Sequence, residues 1–147
     1  MGSAQTVNVL LPPAIRCKCC PRWPKIYRCP LRDTGLVIQS TLYQQLLDLG
    51  QQPAVLDSKA LLQNPHRVLE QLCAHIGIPF DERVLSWQAG ARPEDGVWAK
   101  YWYNSVHQST GFERYRAKPA PFPPRLLPLL AQCRPHYEQL AAVALQA

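Results

Sequence analysis

The amino-acid sequence predicts an α/β fold that is mostly helical and has one or two parallel strands. Residues 54–57, AVLD, form a short apolar run typical of a buried strand, and a helical pattern follows directly. The other strand-like run is TVNVLL, which predicts a strand from Val7 to Leu11 that Pro12 and Pro13 end. Two strands are too few for an independent α/β sheet. We therefore expect part of a larger domain.

The helices are predicted from the spacing of apolar residues and from the residues at their ends. Gly50 ends a first helix, and Asn64 and Pro65 begin a second one that Gly77 ends. The apolar residues that predict the inner faces are Ile38, Leu42, Leu46 and Leu49, widened by Tyr43 and Leu47, in the first helix, and Val68, Leu69, Leu72 and Ile76 in the second. A terminal helix in LLPLLAQCRPHYEQLAAVALQA is expected to be interrupted near Pro135.

The first 32 residues differ in composition from the rest of the chain. Proline and cysteine residues are concentrated there, so we predict an irregular, disordered segment over residues 1–32. We predict a folded region over residues 33–147. Cys17 and Cys20 form one CxxC, but Cys19 interrupts it and no second pair follows. The pattern therefore favours free thiols, and zinc binding is the alternative.

Composition and charge limit the classes of partner. The formal net charge of +6 suits an acidic partner such as a phosphorylated ligand, while the absence of a Lys/Arg block argues against nucleic acid. No apolar run approaches the roughly 18 residues that span a bilayer, and no signal-peptide pattern opens the chain. These features predict a soluble, cytoplasmic protein.

About residues 33–147 resemble a known family, and the resemblance is best from Val55 to Phe112. The run AVLDSKALLQNPHRVLEQLCAHIGIPFDERVLSW, followed by GVWAKYWYNSVHQSTGF, resembles the C-terminal half of the P-loop sulfotransferases, and HYEQLAAVAL is similar to the closing helix of that family. The resemblance implies a partial P-loop-type sulfotransferase fold. It also implies a Gly-x-Trp loop that folds over the 3′-phosphate of the sulfuryl donor, 3′-phosphoadenylyl sulfate.

The same resemblance assigns donor-binding residues. Arg92 and Lys100 would offer cations to the phosphate, and Gly96 would offer a backbone that can approach the phosphate closely. Trp98 would pack the loop or flank the purine. Arg16 resembles a strand-end arginine of the family, although its segment could be unrelated sequence joined to a family C-terminus. The alternative for the aromatic residues is the core, which we expect for Trp102 and Tyr103.

The sequence predicts no catalytic residue. The N-terminal phosphate loop of the family, and any G-x-x-x-x-G-K-[ST] pattern, is absent from the 147 residues. The four histidines are scattered, and we expect no carboxylate partner to tune them; they are His66, His75, His107 and His136. We therefore expect a sulfotransferase-like fragment that retains the 3′-phosphate loop and is inactive as an isolated chain.

A second function class comes from the first residues. MGSAQT matches the pattern for N-myristoylation at Gly2, and Cys17, Cys19 and Cys20 could accept palmitate as a second membrane signal. The alternative is therefore a non-catalytic interaction protein or an N-myristoylated membrane-peripheral protein.

Overall fold

The structure, a computed structural model, describes residues 6–9, 30–117 and 122–147. The strands and α-helices in chain order are β1 (Thr6–Val9), α1 (Leu36–Asp48), β2 (Ala54–Asp57), α2 (Ser58–Gln63), α3 (Pro65–Ile76), α4 (Ala99–Trp102), α5 (Asn104–His107) and α6 (Leu127–Ala141). Short 3-10 helices lie at Leu31–Thr34, Glu82–Leu85 and Pro124–Leu126. The predicted mostly helical α/β architecture is confirmed. Gly2, Arg16 and the cysteines between 17 and 29 lie outside the described residues, so the expectations about them, and the boundary at residue 33, stay predictions.

The two predicted strands pair in parallel. Val7 lies opposite Val55 and Val9 opposite Asp57, with α1 in the connection between the strands, since parallel neighbours need a crossover. A parallel bridge joins Val55 to Ala144, and the Leu145 N–H donates to the Val55 carbonyl oxygen at 2.9 Å. The C-terminal residues therefore extend along β2, whose residues Ala54–Leu56 are buried.

Helix α1 forms where it is predicted, and the prediction of its inner face is only partly correct, since Leu46 is buried and Tyr43 packs against the core as expected. Leu36, Ser40 and Leu46 are buried, whereas the predicted inner residues Ile38 and Leu49 are 64% and 73% exposed. Apolar residues occupy both sides of this helix, so their spacing alone does not select the buried side. That side faces α6, where Ser40 Oγ lies 2.9 Å from His136 Nδ1.

Helix α6 is continuous, and the predicted interruption near Pro135 is wrong. The helix carries members of two core clusters: one contains Leu46, Val55, Leu140 and Ala144, and the other contains Leu36, Leu129 and Cys133. Proline inside a helix costs about 3 kcal/mol because it lacks an N–H and crowds the preceding turn. Burial of Cys133 and Leu140 on either side of Pro135 holds both halves of the helix against α1 and β2 and offsets that cost.

The ends of α3 agree with the prediction. The side-chain oxygen of Asn64 accepts from the Arg67 N–H at 3.2 Å, and Pro65 occupies the first turn. Gly77 has a φ of +75°, the left-handed conformation that favours glycine at this position. Val68 is fully buried on the predicted inner face.

Asp57 joins the end of β2 to two helices. One carboxylate oxygen accepts from the Lys59 N–H at 3.0 Å and so caps α2. The other accepts from the Tyr137 hydroxyl of α6 at 3.1 Å. Burial, together with the Asp57 charge, raises the pKa of Tyr137, so this phenol stays a neutral donor. Asp57 therefore connects the sheet to α6 through a hydrogen bond between residues 80 apart in the chain.

None of the helices within the described ranges has the length and apolar character needed to cross a membrane.

Candidate functional site

The predicted donor-binding residues other than Arg16 lie in a long segment between α3 and α6, here called the 86–111 loop. Its ends are held by an antiparallel bridge between Ser86 and Gly111 and by the Trp87 N–H, which donates to the Thr110 carbonyl oxygen at 3.0 Å. The Trp87 indole N–H donates to Ser109 Oγ, also at 3.0 Å. These contacts fix the base of the loop.

Gly111 allows the two ends to approach closely. A Cβ atom at this position would lie 3.0 Å from the Leu85 carbonyl oxygen, which belongs to the rigid backbone. Any larger residue would therefore push the ends of the loop apart. On the other side of the base, Phe112 packs edge-on against Trp87 with ring centroids 5.4 Å apart.

A tight turn presents Arg92. The Asp95 N–H donates to the Arg92 carbonyl oxygen at 3.0 Å, and the Arg92 N–H donates to Asp95 Oδ2 at 2.9 Å. The same carboxylate oxygen accepts from His107 Nε2 at 2.8 Å. Asp95 therefore fixes both the turn and its position against α5, and the Gly90 N–H adds a bond to the His107 carbonyl oxygen at 2.7 Å.

The surroundings of Asp95 favour its ionised form. The hydrogen bond from the Arg92 N–H, followed by that from His107, lowers the pKa of this carboxyl below its usual value. The Asp95 and His107 side chains are each only 21% exposed. By contrast, Arg92 is exposed, and its guanidinium makes no ion pair or hydrogen bond within the described part of the chain.

Arg92, Asp95 and His107 share a pocket of about 290 Å³, whose full lining is Trp87, Gln88, Gly90, Arg92, Asp95, Val106 and His107. Gln88, Gly90 and Arg92 are exposed, so the pocket opens to solvent. It offers an aromatic ring, a free guanidinium and a His–Asp pair.

The backbone after this turn has unused donors. The N–H groups of Gly96, Val97 and Trp98 have no hydrogen-bond acceptor among the described residues. A Cβ atom at Gly96 would meet nothing within 4 Å, so the protein itself leaves space beside this backbone. Successive N–H groups without an acceptor suit an anion.

The aromatic residues in and next to α4 are exposed, so the expectation that Trp102 and Tyr103 pack in the core is wrong. Trp102 is 63% exposed and Tyr103 is 42% exposed. Trp98 is also exposed, and its ring lies 6.2 Å from that of Tyr101. Lys100 Nζ lies 5.0 Å above the Tyr101 ring. The small residue Ala99 is the one α4 residue that is buried.

The structure brings together only some of the predicted residues. Arg92 lines the pocket, while Gly96, Trp98 and Lys100 follow it in the chain without lining the pocket. Sequence reasoning missed Trp87, Asp95 and His107.

The expectation that no histidine has a carboxylate partner is also wrong. His107 pairs with Asp95, and His66 lies 3.6 Å from Glu82. Asp95 and His107 are 12 residues apart in the chain. Neither the spacing of a helix nor that of a strand predicts that residues at this separation are in contact.

Most of the chain matches a known protein family. Residues 27–144 match the sulfotransferase domain. The chain therefore belongs to the sulfotransferase domain family, as the motifs of residues 54–112 predict.

Two curated relatives come from Arabidopsis thaliana. Over 120 residues the chain is 38% identical to branched-chain-amino-acid aminotransferase-like protein 2 and 39% identical to branched-chain-amino-acid aminotransferase-like protein 1. The match covers 82% of this chain but only 22% of either relative, so the chain spans about a fifth of their length. No solved structure matches the chain.

Proposed function

We propose that this chain is a partial sulfotransferase domain whose 86–111 loop binds the 3′-phosphate of 3′-phosphoadenylyl sulfate, and that the isolated chain does not transfer the sulfuryl group. The observation that carries the proposal is the exposed guanidinium of Arg92, held out by the turn that Asp95 closes. A phosphate monoester is bound well by a guanidinium together with backbone N–H groups.

Each group in the loop has a distinct part in this proposal. The Arg92 guanidinium pairs with the phosphate oxygens, and the N–H groups of Gly96 and Val97 supply hydrogen bonds. Trp98, at 67% exposure, offers a ring face to the purine, and Lys100 adds a second positive charge nearby. Membership of the sulfotransferase family supports the choice of donor.

The first test compares two nucleotides by calorimetric titration. Adenosine 3′,5′-bisphosphate should bind about ten- to hundredfold more tightly than adenosine 5′-monophosphate, because charge-assisted hydrogen bonds to the extra phosphate contribute about 1.5–3 kcal/mol. Arg92→Ala should remove most of this preference. Arg67→Ala, which removes an exposed arginine of α3, should keep it.

Further variants separate the contributions within the loop. Gly96→Val should weaken binding of the bisphosphate more than Arg92→Ala does. It should leave the fold intact, since a Cβ atom at this position meets nothing in the protein within 4 Å. Trp98→Ala should weaken both nucleotides equally and leave the circular dichroism spectrum unchanged, because the ring is exposed. Equal affinities of the wild type for the two nucleotides would refute the proposal.

The second test addresses transfer. Sulfuryl transfer needs cations that stabilise the leaving phosphate and a nucleophile held in line with the donor, and the chain contains no G-x-x-x-x-G-K-[ST] phosphate loop. Pure protein should therefore give no labelled product from radiolabelled donor across pooled hydroxyl and amine acceptors, while an active sulfotransferase in parallel reactions does. Turnover by the pure chain would show that other residues replace the phosphate loop.

A further inference from the structure

The pocket beside Arg92 combines charges that oppose one another. Its titratable residues are Arg92, Asp95 and His107, and the remaining lining residues are neutral. An anion that approaches Arg92 therefore also approaches the Asp95 carboxylate, which is ionised and repels it. The net charge that the anion meets depends on the third group, His107.

Histidine is the side chain whose charge ordinarily changes between about pH 5 and 8. When His107 is neutral, the charges of Arg92 and Asp95 cancel. When His107 is protonated, its charge neutralises Asp95 through the 2.8 Å contact and leaves the charge of Arg92 uncompensated. Protonation thus converts the pocket from neutral to positive without any change in the fold.

We infer that this pocket is an oxyanion site whose affinity is controlled by the proton on His107, so that it binds a sulfate or phosphate group more tightly below neutral pH than above it. The inference deepens the proposed function, on which it rests for the identity of the natural ligand. It adds a regulation of the same loop and a role for Asp95 and His107.

The other groups around His107 leave this control in place. The Tyr103 ring packs edge-on against the imidazole with centroids 5.9 Å apart, and a tyrosine stays neutral over this pH range. The Gly90 N–H contacts only the His107 carbonyl oxygen. Glu94 precedes Asp95 in the chain but does not line the pocket. Arg92 keeps its charge throughout.

Inorganic sulfate is the probe, because it remains a dianion over this range and its own charge cannot cause a pH effect. Its binding is followed through the NMR signal of the Trp87 indole N–H, with sodium chloride at matched ionic strength as reference. The affinity should fall about three- to tenfold from about pH 5.5 to about pH 8, because one positive charge is lost a few ångströms from the bound anion in solvated surroundings.

Substitutions of His107 and Asp95 should change the affinity for sulfate in opposite directions. His107→Gln should bind sulfate weakly and with no pH dependence, whereas His75→Gln, at an exposed histidine of α3, should behave as wild type. Asp95→Asn keeps an oxygen that can accept from the Arg92 N–H but removes the negative charge, so it should bind sulfate more tightly than wild type at about pH 8. A purely structural role for Asp95 would instead weaken binding.

Linkage supplies an independent check. If protonation of His107 strengthens sulfate binding, sulfate must favour protonation by the same factor. At constant pH, the proton NMR signals of the His107 ring should therefore shift towards those of a protonated imidazole when sulfate is added.

The outcomes separate the inference from the proposed function. Sulfate affinity that does not vary with pH in the wild type, or that varies equally in His107→Gln, overturns the inference even if the bisphosphate nucleotide is preferred. If sulfate affinity depends on pH as predicted but the two nucleotides bind equally, the inference is supported. The same result excludes the nucleotide as the natural ligand of the pocket.

Discussion

Leu140→Ala should lower the free energy of unfolding by about 3–5 kcal/mol, a large share of the stability of a domain of this size. Leu140 is fully buried and packs with Leu46, Val55 and Ala144, so its truncation leaves a cavity between α1, β2 and α6. Urea denaturation followed by circular dichroism measures the loss.

A matched control lies on the same helix. Leu127 is 51% exposed, and Leu127→Ala should cost less than about 1 kcal/mol. If Leu140→Ala does not fold at all, Leu140→Ile gives a measurable intermediate, because a swap that conserves volume costs less than about 1.5 kcal/mol. Similar losses for Leu127→Ala and Leu140→Ala would contradict the packing described for α6.

The second large effect is expected at Asp57. Asp57→Ala should destabilise the protein by about 2–3 kcal/mol, because it removes the cap of α2 and the acceptor of the Tyr137 hydroxyl together. Asp57→Asn should cost less, since an amide oxygen can still accept one of the two hydrogen bonds. Urea denaturation of both variants gives the two losses.

A double-mutant cycle isolates the link between Asp57 and α6. Tyr137→Phe removes the hydroxyl while keeping the ring, and its cost should almost vanish when Asp57 is already alanine. The coupling energy should be about 1–2 kcal/mol, as expected for a half-buried hydrogen bond to a charged group. Strictly additive losses would mean that the hydrogen bond between Asp57 and Tyr137 contributes nothing to stability.

Local signals in the sequence predict the elements of this fold well. Asn64, Pro65 and Gly77 mark the ends of α3 through hydrogen bonds and backbone angles that involve only near neighbours. The strand at Ala54–Asp57 is likewise apparent from a short apolar run. The family could be predicted for the same reason, since its motifs are continuous in the chain.

Interactions between distant residues could not be predicted in this way. The buried side of α1 depends on α6, and Ser40 and His136, which meet there, are 96 residues apart. Tertiary packing also keeps α6 continuous through Pro135, against the local preference of proline. In the candidate site, the pairing of Asp95 with His107 depends on how the 86–111 loop folds back, which no periodicity encodes.

The contacts of β2 with α6 have a consequence for the order of events during synthesis. Val55 obtains its neighbours Leu140, Ala144 and Leu145 only after the more than 80 residues between them have been made. Until then α1 and β2 lack the helix on which both of them pack. Closing so long a loop slows folding, and apolar surface that waits for its partner invites association with other chains. Protection by chaperones is therefore most valuable just before α6 emerges.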